Sequence, residues 1–95
     1  GRRIADLADR YYLNVAPHNI GSPIATVATC HVCAALPNFR ALEFHHLDNP
    51  LWDSLLLGDP LIADGHIAVP SLPGLGLVLN EDVVRASARE NLGFL

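Results

Sequence analysis

The sequence contains no lysine and no methionine. Without lysine there is no ε-amino group to act as a base or to form a Schiff base. All six cations are arginines: Arg2, Arg3, Arg10, Arg40, Arg85 and Arg89. Without methionine, residue 1 is not expected to be a natural start. Charge is scarce as well, at 17% of the 95 residues, with six basic groups against ten acidic ones and a net charge of −4. So few bases leave no electrostatic footprint for nucleic acid. No apolar run reaches the roughly 18–20 residues of a membrane span, and no secretory leader pattern opens the chain. Neither nucleic acid nor a membrane is therefore an expected partner, and the cytoplasm is the expected compartment.

What is present is a chain that is 51% hydrophobic, too apolar for disorder and long enough for about one small domain. The charge is uneven. Residues 1–45 hold four Arg against Asp6, Asp9 and Glu43, whereas residues 46–95 hold two Arg against seven acids.

Ile4, Leu7, Ala8 and Tyr11 fall on one helical face, which predicts a helix over 2–10. Residues 11–17 then read as a strand closed by Pro17. Gly21-Ser22-Pro23 marks a helix start, with Ser22 as cap and Pro23 where a missing N–H costs nothing. That helix is expected to run to about Leu36, ahead of Pro37, and residues 39–44 read as a second strand. Strand, helix, strand predicts a βαβ unit with parallel strands. Further on, Leu51–Leu57 suggests a helical turn, and Asp64-Gly65 a two-residue hairpin. Leu77–Leu79 suggests a short strand, and Asn80 the cap of a last helix. A single βαβ unit leaves open edges and uncovered faces, so residues 1–46 look like two staves of a larger sheet.

Several residues could carry chemistry. His18 follows a strand end, where α/β folds place catalytic groups; the alternative is a loop histidine bonded to backbone. Glu43 sits between Leu42 and Phe44 near the end of the second strand. A carboxylate there needs a partner, a metal or a proton, and an ion pair with Arg40 or another chain is the structural alternative. Both residues open onto the same end of the parallel pair. His45, His46 and Asp48 follow and suggest a metal cluster, although neighbours on an extended chain point opposite ways. Cys30 and Cys33 make a single C-H-V-C within a helix, away from the N-terminus that would stabilise a thiolate. Buried helix-face thiols are expected rather than a redox or zinc site. Trp52 is expected to anchor the core or a lid.

The run A-P-H-N (16–19), then G-S-P-I-A-T (21–26), A-A-L-P-N-F (34–39) and L-E-F-H (42–45), resembles the mandelate racemase/muconate lactonising group of the enolase superfamily. The tail pieces D-G-H-I-A-V-P (64–70), P-G-L-G (73–76) and L-N-E-D (79–82) are similar to that group's usual ending. The ordered set is most like its sugar-acid dehydratases of the galactonate and gluconate type. The resemblance implies an α/β fold, the C-terminal part of a (β/α)8 TIM-like barrel. Residues 1–46 would supply its last two strands and helices. Residues 47–95 would form an extension of loop, hairpin, short strand and helix, returning to a capping domain outside this chain.

It further implies a metal-dependent lyase that removes the proton α to a carboxylate, passes through an enediolate and eliminates water. His18 matches the family's acid/base histidine. Glu43 matches the glutamate that bonds the substrate carboxylate, expected to be protonated or to share a proton with it. His45 is a further substrate-binding candidate. The Mg²⁺ ligands and the second base are expected upstream of residue 1, so these 95 residues alone are expected to be inactive, within a homo-oligomeric parent acting on a sugar acid. A racemase or cycloisomerase of the same superfamily, and a non-catalytic binding module, are the alternatives.

Overall fold

The computed structural model describes residues 1–45 and 50–88. His46 and Asp48, both in the suggested metal cluster, lie outside the described residues, as do Arg89 and the expected boundary at 46/47. Among the described residues there are four helices: α1 (Arg2–Asp9), α2 (Pro23–Ala34), α3 (Pro50–Ser54) and α4 (Glu81–Ser87).

α2 is the centre of the fold. Ser22 caps it, the hydroxyl accepting the Ala25 N–H at 3.4 Å, and Pro23 occupies its first position. Val27, Cys30 and Cys33 are buried along it together with Thr26, and Ala5 and Leu36 complete the core. The helix stops at Ala34, two residues short of the expected end. There the Ala35 and Leu36 N–H groups reach Val32 and Cys33 in tighter three-residue turns.

The two flanking segments pair in parallel, as expected, through one bridge between Val15 and Phe39. Val15 N–H donates to Asn38 O and Arg40 N–H to Val15 O, both at 2.9 Å. Glu43 N–H then closes on Pro17 O at 3.1 Å, one residue beyond the even parallel register. Neither expected strand, 11–17 or 39–44, forms as a strand among the described residues; each segment contributes a single bridge residue, Val15 and Phe39. Tyr11–Leu13 form the turn that ends α1, with Tyr12 left-handed at φ 57° and Leu13 N–H returning to Ala8 O. The apolar face of α1 is helical as read, yet Ile4 and Leu7 stay exposed and only Ala5 is buried.

In the second half, Asp64 and Gly65 both take positive φ, 49° and 73°, and bring Ala63 and His66 into an antiparallel bridge. This is the primed turn that an Asp-Gly pair favours. Leu79 pairs antiparallel with Leu56, the residue row that follows α3. Asn80 caps α4 by accepting the Val83 N–H. His31 joins the halves, its Nε2 lying 3.1 Å from Leu75 O. The whole is extended, with a radius of gyration of 15.4 Å against about 12 Å for a compact domain of this length.

Candidate functional site

Three of the sequence-expected site residues meet at one corner. His18 follows Pro17 at the end of the first extended segment, and Glu43 lies where the second segment leaves its parallel partner. His18 Nδ1 contacts Glu43 Oε2. His45 Nε2 stands 3.1 Å from the other oxygen, Oε1. The side chains are 72%, 39% and 47% exposed for His18, Glu43 and His45, so the corner is open to a ligand. Arg40 takes no part in this cluster.

Sequence reasoning missed the third donor. The backbone N–H of Asn19 donates to Glu43 Oε2 at 3.0 Å. Its side chain turns inward, where Nδ2 donates to Thr26 Oγ1 at 3.1 Å. Asn19 and Thr26 are both buried, so this donor is fixed to the first turns of α2. Only the A-P-H-N run hinted at it, since a main-chain donor has no residue signature.

The electrostatics follow from these bonds. An ionised carboxylate accepts and never donates. The Asn19 N–H holds the Glu43 carboxyl below its ordinary range, with further lowering from the His45 hydrogen bond; partial burial works against both, and His18 adds a smaller push downward. The sequence expectation, a Glu43 that is protonated or shares a proton with the substrate carboxylate, concerns the substrate-bound site; without substrate, the converging donors favour the ionised form. With Nδ1 committed to Glu43, Nε2 is the His18 atom available for proton exchange.

Burial pushes both thiols up, Cys30 further through its neighbour Cys33. Both cysteines are free and buried, the inert environment expected of helix-face thiols.

The corner does not make a magnesium cage. Magnesium takes near-octahedral oxygen ligands at about 2.0–2.1 Å. Here one carboxylate is offered, and its two oxygens already accept from Asn19, His18 and His45. Among the described residues no three His, Cys, Asp or Glu are grouped to hold a metal ion.

Beside the cluster lies a cleft of about 180 Å³ lined by Asn19, Ile20, Gly21, Ser22, His45 and Trp52. Trp52 is half-buried and held edge-on against Phe44, with ring centroids 5.4 Å apart and planes at 74°.

The family model for enolase C-terminal domain-like proteins matches residues 1–83. A D-xylonate dehydratase from Haloferax volcanii is 52% identical over 85 residues, covering 90% of this chain and 21% of that protein. A D-gluconate dehydratase from Thermoproteus tenax is 30% identical over 83 residues, covering 86% of this chain and 17% of that protein. Among solved structures, a mandelate racemase/muconate lactonizing enzyme-like protein from Rubrobacter xylanophilus superposes with a TM-score of 0.87 at 45% identity. It covers 98% of this chain and 24% of that one. The chain thus spans about a fifth of the length of the curated relatives it matches.

Proposed function

The chain belongs to the enolase C-terminal domain-like family, and from that premise we propose that it is the C-terminal portion of a sugar-acid dehydratase. The observation that carries the proposal is the His18–Glu43 pair at neighbouring ends of two parallel segments. Two relatives are named D-xylonate dehydratase and D-gluconate dehydratase. The uncovered apolar groups on α1, among them Ile4 and Leu7, suit a piece whose remaining barrel layers lie elsewhere in a longer protein.

In the dehydration, the C2–H and C3–O bonds of a 2,3-dihydroxy acid break, water departs, and the resulting enol becomes a ketone. His18 exchanges a proton through Nε2, either taking it from C2 or giving it to the leaving 3-hydroxyl. Ionised Glu43 fixes the ring by accepting at Nδ1, which sets the tautomer. For Glu43 also to bond the substrate carboxylate, as the family resemblance implies, it must share a proton on substrate arrival, because two bare carboxylates repel. His45, the second donor to Glu43, borders the cleft and meets the substrate there. The magnesium ion that the resemblance implies would take its ligands from residues other than His18, Glu43 and His45, and would stabilise the charge of the enediolate.

The test is His18→Asn in the full protein. Turnover on D-xylonate is expected to fall about 10²–10⁴-fold with KM nearly unchanged. Near-normal turnover on D-xylonate, D-gluconate and D-galactonate alike overturns the role. A second reading, racemisation or lactone formation, is favoured by the name of the Rubrobacter structure. The product separates the two, since only dehydration yields a 2-keto-3-deoxy acid.

A further inference from the structure

Thr26 is an odd residue for its place. It is fully buried on α2, beside Val27 and in the stripe that also buries Cys30 and Cys33. A hydroxyl among apolar neighbours is costly unless it is bonded, and valine would fill the same shape. The hydroxyl meets a partner from outside the helix: Asn19 Nδ2 donates to Thr26 Oγ1 at 3.1 Å.

Asn19 carries that bond into the site. Its backbone N–H donates to Glu43 Oε2 at 3.0 Å. Only Cα and Cβ separate the backbone nitrogen from the side-chain amide, so fixing Nδ2 leaves the N–H little room to swing. The stretch between Asn19 and α2 has no slack either. Ser22 is committed to the helix cap, and an added Cβ on Gly21 would stand 2.7 Å from the Ala25 Cβ. Among the described residues, the titratable groups facing Glu43 are His18 and His45, yet the Asn19 N–H holds the carboxyl down more than either. A carboxylate kept ionised can only accept, and that is what keeps His18 Nδ1 a donor and leaves Nε2 for proton exchange.

We infer that Thr26 is a positioning residue of the site: its buried hydroxyl, through the Asn19 side chain, holds the Asn19 N–H on Glu43 and thereby the carboxylate that orients His18. The inference rests on the dehydratase reading for the task of His18, and adds to it a residue that lies beneath the site.

The test uses the full protein in two backgrounds, wild type and Glu43→Ala. Thr26→Val keeps the shape and removes the acceptor. It is expected to lower kcat on D-xylonate about 10–100-fold, the usual cost of losing an outer partner of a positioned group, with KM moving less. Thr26→Ser keeps the hydroxyl and is expected to recover most of that loss. With Glu43→Ala there is no carboxylate left to hold, so adding Thr26→Val should change kcat by no more than about twofold, the scatter of such cycles. A loss as large without Glu43 as with it, or one that Thr26→Ser does not recover, makes Thr26 a packing residue and overturns the inference. Asn19→Ala cuts the same hydrogen bond from its other end and decides the matter if Thr26→Val does not fold. Thermal melts give a reading that needs no turnover. A carboxyl held low in the folded chain adds stability at neutral pH, and releasing the Asn19 N–H brings it back toward its ordinary value. The melting gap between Glu43 and Glu43→Ala proteins at neutral pH should therefore be smaller when both carry Thr26→Val, and an unchanged gap overturns the inference. A wild type inert toward D-xylonate, D-gluconate and D-galactonate overturns the dehydratase reading, and the melts then decide whether Thr26 holds Glu43.

Discussion

Replacing Glu43 by Gln removes one charge from a point where three donors converge. In the wild type, Oε2 accepts the Asn19 N–H at 3.0 Å and pairs with His18 Nδ1, while Oε1 faces His45 Nε2 at 3.1 Å. A glutamine offers one oxygen and one NH₂, so whichever way the amide turns, one side of the cluster meets a donor where it had an acceptor. Removing an orienting partner of this kind costs about 10–100-fold in activity. Glu43→Ala, which leaves His18 with no orienting group, should approach the about 10²–10⁴-fold loss of a positioned acid/base. Stability gives an independent sign. The carboxyl is held below its ordinary value of 4.5 in the folded chain, so its contribution is full above the unfolded carboxylate pKa. It is lost as pH falls through the lower folded value. The melting-temperature gap between wild type and Glu43→Gln should therefore be steady at neutral pH and shrink in acid. Kinetics on D-xylonate and thermal melts of the full protein across pH measure both. Wild-type turnover in Glu43→Ala, or a gap that widens toward acid, refutes the reasoning.

Two further outcomes follow from buried groups. Native protein should label slowly at Cys30 and Cys33 with a thiol reagent, because both thiols are buried and pushed up in pKa; rapid labelling of both in the folded state contradicts their place on the packed face of α2. Asn38→Ala deletes two donations from a buried side chain, to Leu13 O at 2.8 Å and Ala5 O at 3.0 Å. It should lower stability by about 1–3 kcal/mol in denaturant unfolding, with no loss if those bonds are replaced by water.

The parts legible in the sequence are those whose cause is local. Ser22-Pro23, Asp64-Gly65 and Asn80 each announce a cap or a turn through their own backbone chemistry, and each forms as read. The parallel sense of the two segments follows from the length of the helix between them, and His18 and Glu43 converge because both lie just past that pairing. What the sequence hides is set by tertiary context. Tyr12 takes a left-handed turn that no aromatic residue advertises, and it removes the first residues of the segment expected as a strand. The partner of Leu77–Leu79 was invisible because Leu56 and Leu79 pair across more than twenty residues. The charge state of Glu43 depends on a backbone N–H, which has no letter in the sequence.

The site is positioned less by its ladder than by two buried asparagines. One parallel bridge and three backbone hydrogen bonds are too few to fix two segments to the precision proton transfer needs, about half an ångström. Asn38 ties the start of the second segment to α1 and to Leu13, upstream of the bridge. Asn19 ties the end of the first segment to α2 through Thr26, downstream of it. The bridge at Val15 and Phe39 therefore sits between two polar clamps, and Glu43 receives its first donor from one of them. Polar groups are costly to bury unless bonded, so each clamp favours one geometry over its near neighbours more sharply than apolar contact does. Backbone motion that carries the His18–Asn19 stretch away from α2 has to break the buried Asn19–Thr26 hydrogen bond as well as the exposed His18–Glu43 contact. That coupling lets side chains as exposed as His18 and His45 hold a defined arrangement at the mouth of the cleft.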